Sequence, residues 1–368
     1  MRVLHIITDL QTAGAQTVVM NYLRCLHNDK DVLLTVLVLG CPRNTDFEIE
    51  CSNNGYNVKF LNYKETATPY LFKPLINWLR LQLLLFNFLR RNKFDIIHTH
   101  VTPIIPYTLF PIWLCRPEKY FHTLHSDPDA IKPSFQKWAR FAFHRMGVIP
   151  ICVTEYQRTK AEQVYRLSNP VVIHNGLDFR IYQKIIDQYA LRKQLGIEES
   201  LFVIGFVGRL NKIKNIPFLL AVYSEYLKSN PKSILLIIGE GEERSNLETI
   251  VKDNKLNNCV RFLGRRNDVA TLYKAMDLFM LTSFHESSSI VTVEAQLSGV
   301  RCVVSDNIPD SVVVSTKIRR LSLEDSISHW VEAMADTSNS NTPAIDINEY
   351  NIDNTIFKLK KIYSSEQD

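Results

Sequence analysis

Residues 277–304 read DLFMLTSFHESSSIVTVEAQLSGVRCVV, and this stretch decides the fold. Asp277 to Thr282 is an apolar run of strand length, and Ile290 to Leu297 carries a helical pattern closed by Gly299. Val300 to Val304 is then the next strand. Strand, helix and strand in succession build a parallel sheet with helices on its faces. Two glutamates separated by seven residues, Glu286 and Glu294, frame the polar segment at the mouth of this helix. Glu286 falls in the strand-to-helix loop, where doubly wound sheets bind ligands. Glu294 lies on the helix itself, placed to touch a different part of the same ligand. The helix N-terminus adds free backbone N–H groups and a positive dipole end, which suit a phosphate or sugar oxygen.

A glutamate pair alone reads more readily as a polar cap and a solvated side chain. A second element upstream changes the balance. Phe202 to Gly208 is a strand ending in glycine, followed by Arg209 and, five residues on, Lys214, with Pro217 near the first turn of the next helix. Two cations at one strand end suit a diphosphate, with arginine forking onto two oxygens and lysine acting as a point charge. Gly239-Glu240-Gly241 and Asn175-Gly176-Leu177-Asp178 complete the set.

Outward from these motifs, strand and helix signals alternate along the whole chain. Strands are expected at Val3–Ile7, Leu33–Leu39, Val58–Leu61, Ile96–His98, Tyr120–Leu124, Val148–Val153 and Val171–Ile173. A second series follows at Phe202–Val207, Ile234–Ile238, Val260–Leu263, Leu278–Thr282 and Arg301–Val304. The boundary between the series falls between Gly176 and Ser200, where Arg180–Leu195 is polar and helix-prone. The expected domains are 1–176 with a returning segment 350–368, and 177–349. Ser338 to Pro343 reads as a polar linker before a terminal helix, Thr355–Tyr363.

The chain resembles the retaining nucleotide-sugar glycosyltransferases of family 4, which have the GT-B fold. The resemblance rests on Gly208-Arg209-Leu210 with Lys214-Asn215, Ile238-Gly239-Glu240-Gly241, Val260-Arg261-Phe262-Leu263-Gly264, Ala275-Met276-Asp277, Glu286 with Glu294-Ala295, and Val304-Ser305-Asp306. Glu294-Ala295-Gln296 followed by Ser305-Asp306-Asn307-Ile308-Pro309 is similar to the branch that builds bacterial capsule, exopolysaccharide and O-antigen chains. The resemblance implies an α/β fold of two Rossmann-like doubly wound domains facing across a cleft, with the C-terminal helix crossing back to the first. It implies an acceptor-binding first domain and a second domain that binds a nucleotide sugar, with UDP as the expected nucleotide.

Site residues follow from it position by position. Arg209 and Lys214 are implied at the diphosphate, and Gly208 beside them. Glu286 and the segment Ser287, Ser288, Ser289 and Ile290 are implied at the sugar, Glu294 at the ribose, and Leu263, Gly264 and Arg265 at the base. In the first domain, Gly14 occupies the glycine-rich turn Thr12–Gln16, where Ala13 and Gln16 replace the family's second glycine and glutamate. His125 ends a strand where the family places a histidine close to the sugar. Ser287 stands where relatives usually carry glycine, a change that bears on which sugar is accepted. Asp127-Pro128-Asp129 reads as a turn and helix cap rather than a metal site, and His98 and His100 as core or supporting residues. No metal and no cofactor are implied beyond the nucleotide sugar itself.

Composition bounds the alternatives. With 368 residues, 46% of them hydrophobic, the chain is long enough for two domains with sizeable cores. Its seven cysteines show no paired spacing, which is expected of reduced thiols and a cytoplasmic setting. The N-terminus runs straight into a strand, so no signal peptide is expected there. No Gly-x-Gly-x-x-Gly follows a strand, which disfavours a nicotinamide oxidoreductase. An epimerase or hydrolase on the same scaffold, or a non-catalytic partner subunit, stays open at this point.

Charge is concentrated. Residues 70–145 hold 11 Lys and Arg against 4 Asp and Glu, in a chain whose total is +5. The excess sits among Leu84, Leu85, Phe86, Trp138 and Phe141. Basic residues interleaved with aromatics suit an anionic bilayer, at the inner face of the cytoplasmic membrane. The same pattern fits helices that bury their apolar faces and leave Lys and Arg in water. Nucleic acid is not expected, because no recognised motif accompanies the charge.

Overall fold

A computed structural model of the protein describes residues 1–11, 14–64, 73–336, 338 and 344–365. The chain divides into two compact units, Met1–Leu177 with Glu349–Asp368, and Asp178–Asn348. Thr12 and Ala13, and the proposed linker apart from Ser338, lie outside the described residues.

The first unit holds seven parallel strands: β1 (Arg2–Ile7), β2 (Leu33–Val38), β3 (Val58–Phe60), β4 (Ile96–His100), β5 (Lys119–Leu124), β6 (Val148–Cys152) and β7 (Val171–Val172). Their order in space is β3-β2-β1-β4-β5-β6-β7. From Val3 to Ile7 every residue of β1 is buried, because both faces of a parallel sheet are covered. One face packs on the Gly14–Leu26 helix and the terminal helix Ile352–Ser364, whose Leu359 and Tyr363 join the core. The other face packs on Lys73–Arg91, Ile105–Cys115 and Pro133–Arg145.

The second unit holds six: β8 (Phe202–Val207), β9 (Ser233–Ile238), β10 (Val260–Gly264), β11 (Leu278–Leu281), β12 (Arg301–Ser305) and β13 (Ile318–Leu321). Their order is β10-β9-β8-β11-β12-β13, again all parallel. At the start of the second unit the Arg180–Leu195 segment forms two short helices, Phe179–Tyr182 and Gln188–Gln194. In each sheet the chain reverses its direction of travel once, between β1 and β4 and between β8 and β11. Those reversals leave a crevice at the carboxyl ends of the strands, the position at which open parallel sheets take ligands.

Candidate active site

Around the β8/β11 crevice the second unit brings four of the expected residues together. Gly208, Arg209 and Lys214 follow β8, and Glu286 follows β11, 72 positions on from Lys214. Lys214 Nζ donates to Glu286 Oε1 at 2.5 Å, and Ser283 Oγ donates to the same oxygen at 2.6 Å. Ser283 is held in turn by Ser305 Oγ, which donates to its carbonyl at 2.6 Å. Thr282 Oγ1 donates to the carbonyls of Lys214 and Asn215, tying the loop after β8 to the end of β11. The pair is mostly shielded, with the two side chains 15% and 11% exposed. Arg209 is different: it lies in solvent, paired with Glu242 at 3.1 Å.

Glu294 sits just over one turn along the Ile290–Leu297 helix and is half-buried. Tyr182 donates to its Oε1 at 2.8 Å and Tyr273 to its Oε2 at 3.1 Å. Burial pushes its carboxyl up to about 7, against the opposing pull of the two phenol hydrogen bonds. Tyr182 and Tyr273 are site residues that sequence reasoning did not raise. Each is separated from Glu294 in the chain, by 112 and 21 positions, with no motif to connect them.

Of the three serines after Glu286, only Ser289 needs a glycine-like backbone. Its φ is 32°, in the left-handed region, and Ser287 and Ser288 are outside it. Left-handed backbone costs a residue with a side chain about 1–2 kcal/mol. Ser289 Oγ shares a hydrogen bond with Thr292 Oγ1 at 2.9 Å, which offsets part of that cost. Ile290 opens the helix behind it.

Gly239-Glu240-Gly241 turns out to be packing. A Cβ at Gly239 would lie 1.9 Å from the Gly208 carbonyl oxygen, and one at Gly241 would lie 2.2 Å from that of Leu210. The glycines let the loop after β9 cross the Arg209 loop at van der Waals contact. Gly239 N also donates to the Gly264 carbonyl at 2.8 Å, so Leu263 and Gly264 end beside the same crossing while Arg265 points outward, exposed.

At the β1/β4 crevice of the first unit, buried imidazoles take the place of ion pairs, beside the carboxylate of Asp9. Gly14 is the first residue of its helix and is exposed, and a Cβ there would meet nothing within 4 Å. Its turn therefore does not demand glycine for steric reasons. Gln16 Nε2 donates to Asp9 Oδ1 at 3.2 Å. His125 follows β5, partly exposed, and its Nε2 lies 2.9 Å from His100 Nδ1. His98 and His100 lie inside β4, fully buried, and alternate residues of a strand share one face. His5 is paired in register with His98 across β1 and β4, which puts all three rings on the face covered by Tyr363. Burial drives His5 down to about 3 and His125 to about 4, and holds His98 and His100 well below the usual range. His5, His98 and His100 each offer a nitrogen within 4.8 Å of the others, a spacing able to hold a metal ion. All six of their ring nitrogens already have hydrogen-bond partners. Asp127 lies buried at the start of the short Pro128–Ala130 turn, and Asp129 pairs with Lys160 at 3.0 Å.

The basic, apolar region needs one correction. Leu85 is fully buried and belongs to the core, so it does not face solvent. The exposed apolar stripe of the Lys73–Arg91 helix is instead Leu75, Ile76, Leu79 and Leu83, with Phe141 exposed on the Pro133–Arg145 helix. Arg80, Arg90, Arg91 and Lys93 are exposed as well. No helix among the described residues is long and apolar enough to cross a membrane.

Two family models cover the chain in succession. Glycosyltransferase Family 4 matches residues 12–180, and Glycosyl transferases group 1 matches residues 187–352. Among characterised relatives, the chain is similar to UDP-Gal:alpha-D-GlcNAc-diphosphoundecaprenol alpha-1,3-galactosyltransferase of Escherichia coli. The two are 25% identical over 347 residues, 86% of this chain and 88% of that one. It is also similar to N-acetyl-alpha-D-glucosaminyl L-malate synthase of Bacillus anthracis, at 27% identity over 58% of this chain and 57% of that one. Anabaena HepE, solved in complex with UDP and glucose, has the same fold: TM-score 0.80 over 100% of both chains, at 19% identity.

Proposed function

The chain belongs to family 4 of the glycosyltransferases, with the GT-B fold, and from that membership we propose that it moves a hexose-type sugar from a UDP-sugar to a lipid-linked or growing glycan, with retention at the anomeric carbon. The observation that carries this reading is the Lys214–Glu286 pair at the β8/β11 crevice, with Arg209 on the same loop. The leaving diphosphate gains negative charge in the transition state, and cations already in place stabilise it without reorganisation. In the unliganded protein Glu286 holds Lys214; an arriving diphosphate takes over the ammonium and releases the carboxylate toward the sugar. Arg209, paired with exposed Glu242, exchanges partners at little cost.

The second unit is thus assigned the nucleotide sugar and the first unit the acceptor. Glu294 receives the ribose hydroxyls, Leu263, Gly264 and Arg265 meet the base, and Ser287 to Ile290 face the sugar. Gly14 and His125 are the first unit's residues in this reading. Positive charge comes from Arg209 and Lys214, and the reading assigns no metal and no cofactor besides the donor. Retention follows a same-face attack in which the departing phosphate oxygen takes the acceptor's proton. The E. coli relative, named for a UDP-sugar and a diphosphoundecaprenol-linked acceptor, supports this choice of substrates; bacterial surface polysaccharide assembly is the role proposed with it.

The test is direct. Purified protein is given UDP-hexoses and a polyprenyl-diphosphate-linked sugar, and the product's anomeric configuration is read by NMR. Transfer with the donor's configuration kept is expected. Donor consumed with no glycosylated acceptor points to a hydrolase or epimerase and ends the proposal.

A lipid-linked acceptor calls for contact with the bilayer surface, at the inner face of the cytoplasmic membrane. The Leu75, Ile76, Leu79 and Leu83 stripe beside Arg80, with Arg90, Arg91 and Lys93 near the helix end, is the surface proposed for it. Each Lys or Arg near an anionic leaflet contributes about 1 kcal/mol. Vesicle co-sedimentation should be lost when Arg90, Arg91 and Lys93 are changed to Glu. Equal binding to neutral and anionic vesicles would rule the surface out.

A further inference from the structure

Thr123, His98, Tyr363, His5, His100 and His125 form one hydrogen-bonded row. His98 Nε2 lies 2.7 Å from Thr123 Oγ1, and His98 Nδ1 lies 2.5 Å from the Tyr363 hydroxyl. That hydroxyl is 3.0 Å from His5 Nε2. His5 Nδ1 is then 2.9 Å from His100 Nε2, and His100 Nδ1 is 2.9 Å from His125 Nε2. The last nitrogen, His125 Nδ1, has no partner among the described residues.

Burial keeps all four imidazoles neutral at ordinary pH. A neutral imidazole has one N–H and one bare nitrogen, so a ring bridging two partners donates on one side and accepts on the other. The whole row must therefore point one way. A phenol is a strong donor to imidazole and a weak acceptor, and the shortest contact in the row is from Tyr363 to His98 Nδ1. That fixes the direction. Tyr363 donates to His98, and His98 Nε2–H donates to Thr123. On the other side His5 Nε2–H donates to Tyr363, His100 Nε2–H to His5, and His125 Nε2–H to His100.

We infer that Tyr363, on the C-terminal helix, sets the tautomer of His125 through His5 and His100, leaving His125 Nδ1 as a bare acceptor for a sugar hydroxyl. The sugar part rests on the proposed transferase reading; the tautomer does not. Tyr363, His5, His98 and His100 are positioning residues in this account. A metal ion on the three buried histidines would have to displace these hydrogen bonds, and no carboxylate partner sits in the row to balance its charge.

The experiment uses full-length, ligand-free protein with 15N-labelled histidine and long-range proton–nitrogen correlation spectra. His125 is expected as a single Nε2–H tautomer, becoming mixed or reversed in Tyr363→Phe. His5→Phe, which cuts the row between Tyr363 and His125, should act the same way and serves if Tyr363→Phe does not fold. His125 found as the Nδ1–H tautomer in the parent protein, or unchanged in both variants, overturns the relay. So does one equivalent of zinc retained by the parent and lost in His98→Gln. The spectrum decides the relay whatever the transfer assay gives. In that assay Tyr363→Phe should raise the KM for the sugar-bearing acceptor about three- to ten-fold, the range of one hydrogen bond, with the Kd for UDP unchanged. An altered tautomer with an unaltered KM overturns the assignment of Nδ1 to a sugar hydroxyl.

Discussion

The two sheets present the same crevice and furnish it in opposite ways. Between β8 and β11 the side chains are ionised and partly open, Lys214 against Glu286 and Arg209 against Glu242. Between β1 and β4 a row of neutral, mostly buried groups, imidazole on imidazole with a phenol to close it, lies beside the carboxylate of Asp9. Charge that exchanges partners suits a ligand that brings charge of its own, as a diphosphate does. Neutral groups locked in a row can only orient. One scaffold thus separates stabilising a charge from directing a hydrogen bond.

The largest expected effect breaks the charged side. Lys214→Ala and Arg209→Ala should each lower turnover by roughly two orders of magnitude or more, with the circular dichroism spectrum retained. Near-normal turnover in either would remove the diphosphate clamp and the contrast with it.

The next separates the units by pH. The buried histidines of the first unit, His122 at about 3 included, have folded pKa values below their unfolded one of 6.5. Their stabilisation is complete above 6.5 and is lost as pH falls toward 3 to 4. Glu294 is the reverse. Its carboxyl, at about 7 when folded and 4.5 when unfolded, favours folding most below 4.5 and least above 7. Between pH 7.5 and 5, hydrogen exchange should show the first unit loosening and the second tightening, and Glu294→Gln should flatten the second slope. Parallel slopes in the two units would contradict the assignment.

These contrasts were only partly legible in the sequence. Apolar runs such as Phe202–Val207 announce their strands, and the order of Arg209, Lys214, Glu286 and Glu294 announces the charged crevice. β13 was missed because Ile-Arg-Arg-Leu has no apolar run, its arginines being spent on Asp336 and Asp310. The histidine row was missed for another reason. Its link from His5 to Tyr363 spans 358 positions, and register between β1 and β4 is set by tertiary packing. The left-handed backbone at Ser289 was not legible either, since local sequence does not reveal which serine takes φ of 32°.

A smaller effect sharpens the charged side. Glu294→Gln should weaken UDP binding about ten-fold, the size of a charge-assisted hydrogen bond, by calorimetry. Glu286→Gln should leave that binding equal or tighter, because Lys214 is freed, while transfer falls. The opposite pattern would exchange the two roles. Smallest of all, Ser289→Gly should change stability by less than about 1 kcal/mol, relieving left-handed strain at the expense of a looser unfolded chain. Ser289→Pro, which cannot adopt that φ, should disorder the loop. A proline variant with normal stability and activity would show that the Ser289 backbone is not held there.

The account's central claim is that the β8/β11 crevice holds the nucleotide. UDP titrated into 15N-labelled protein, with amide shifts followed residue by residue, tests it most directly. Shifts should concentrate at 208–215, 262–266 and 284–294, and vanish in Lys214→Ala at the same UDP concentration. Shifts centred instead on 9–16 and 98–101, or no saturable shift anywhere, would contradict it.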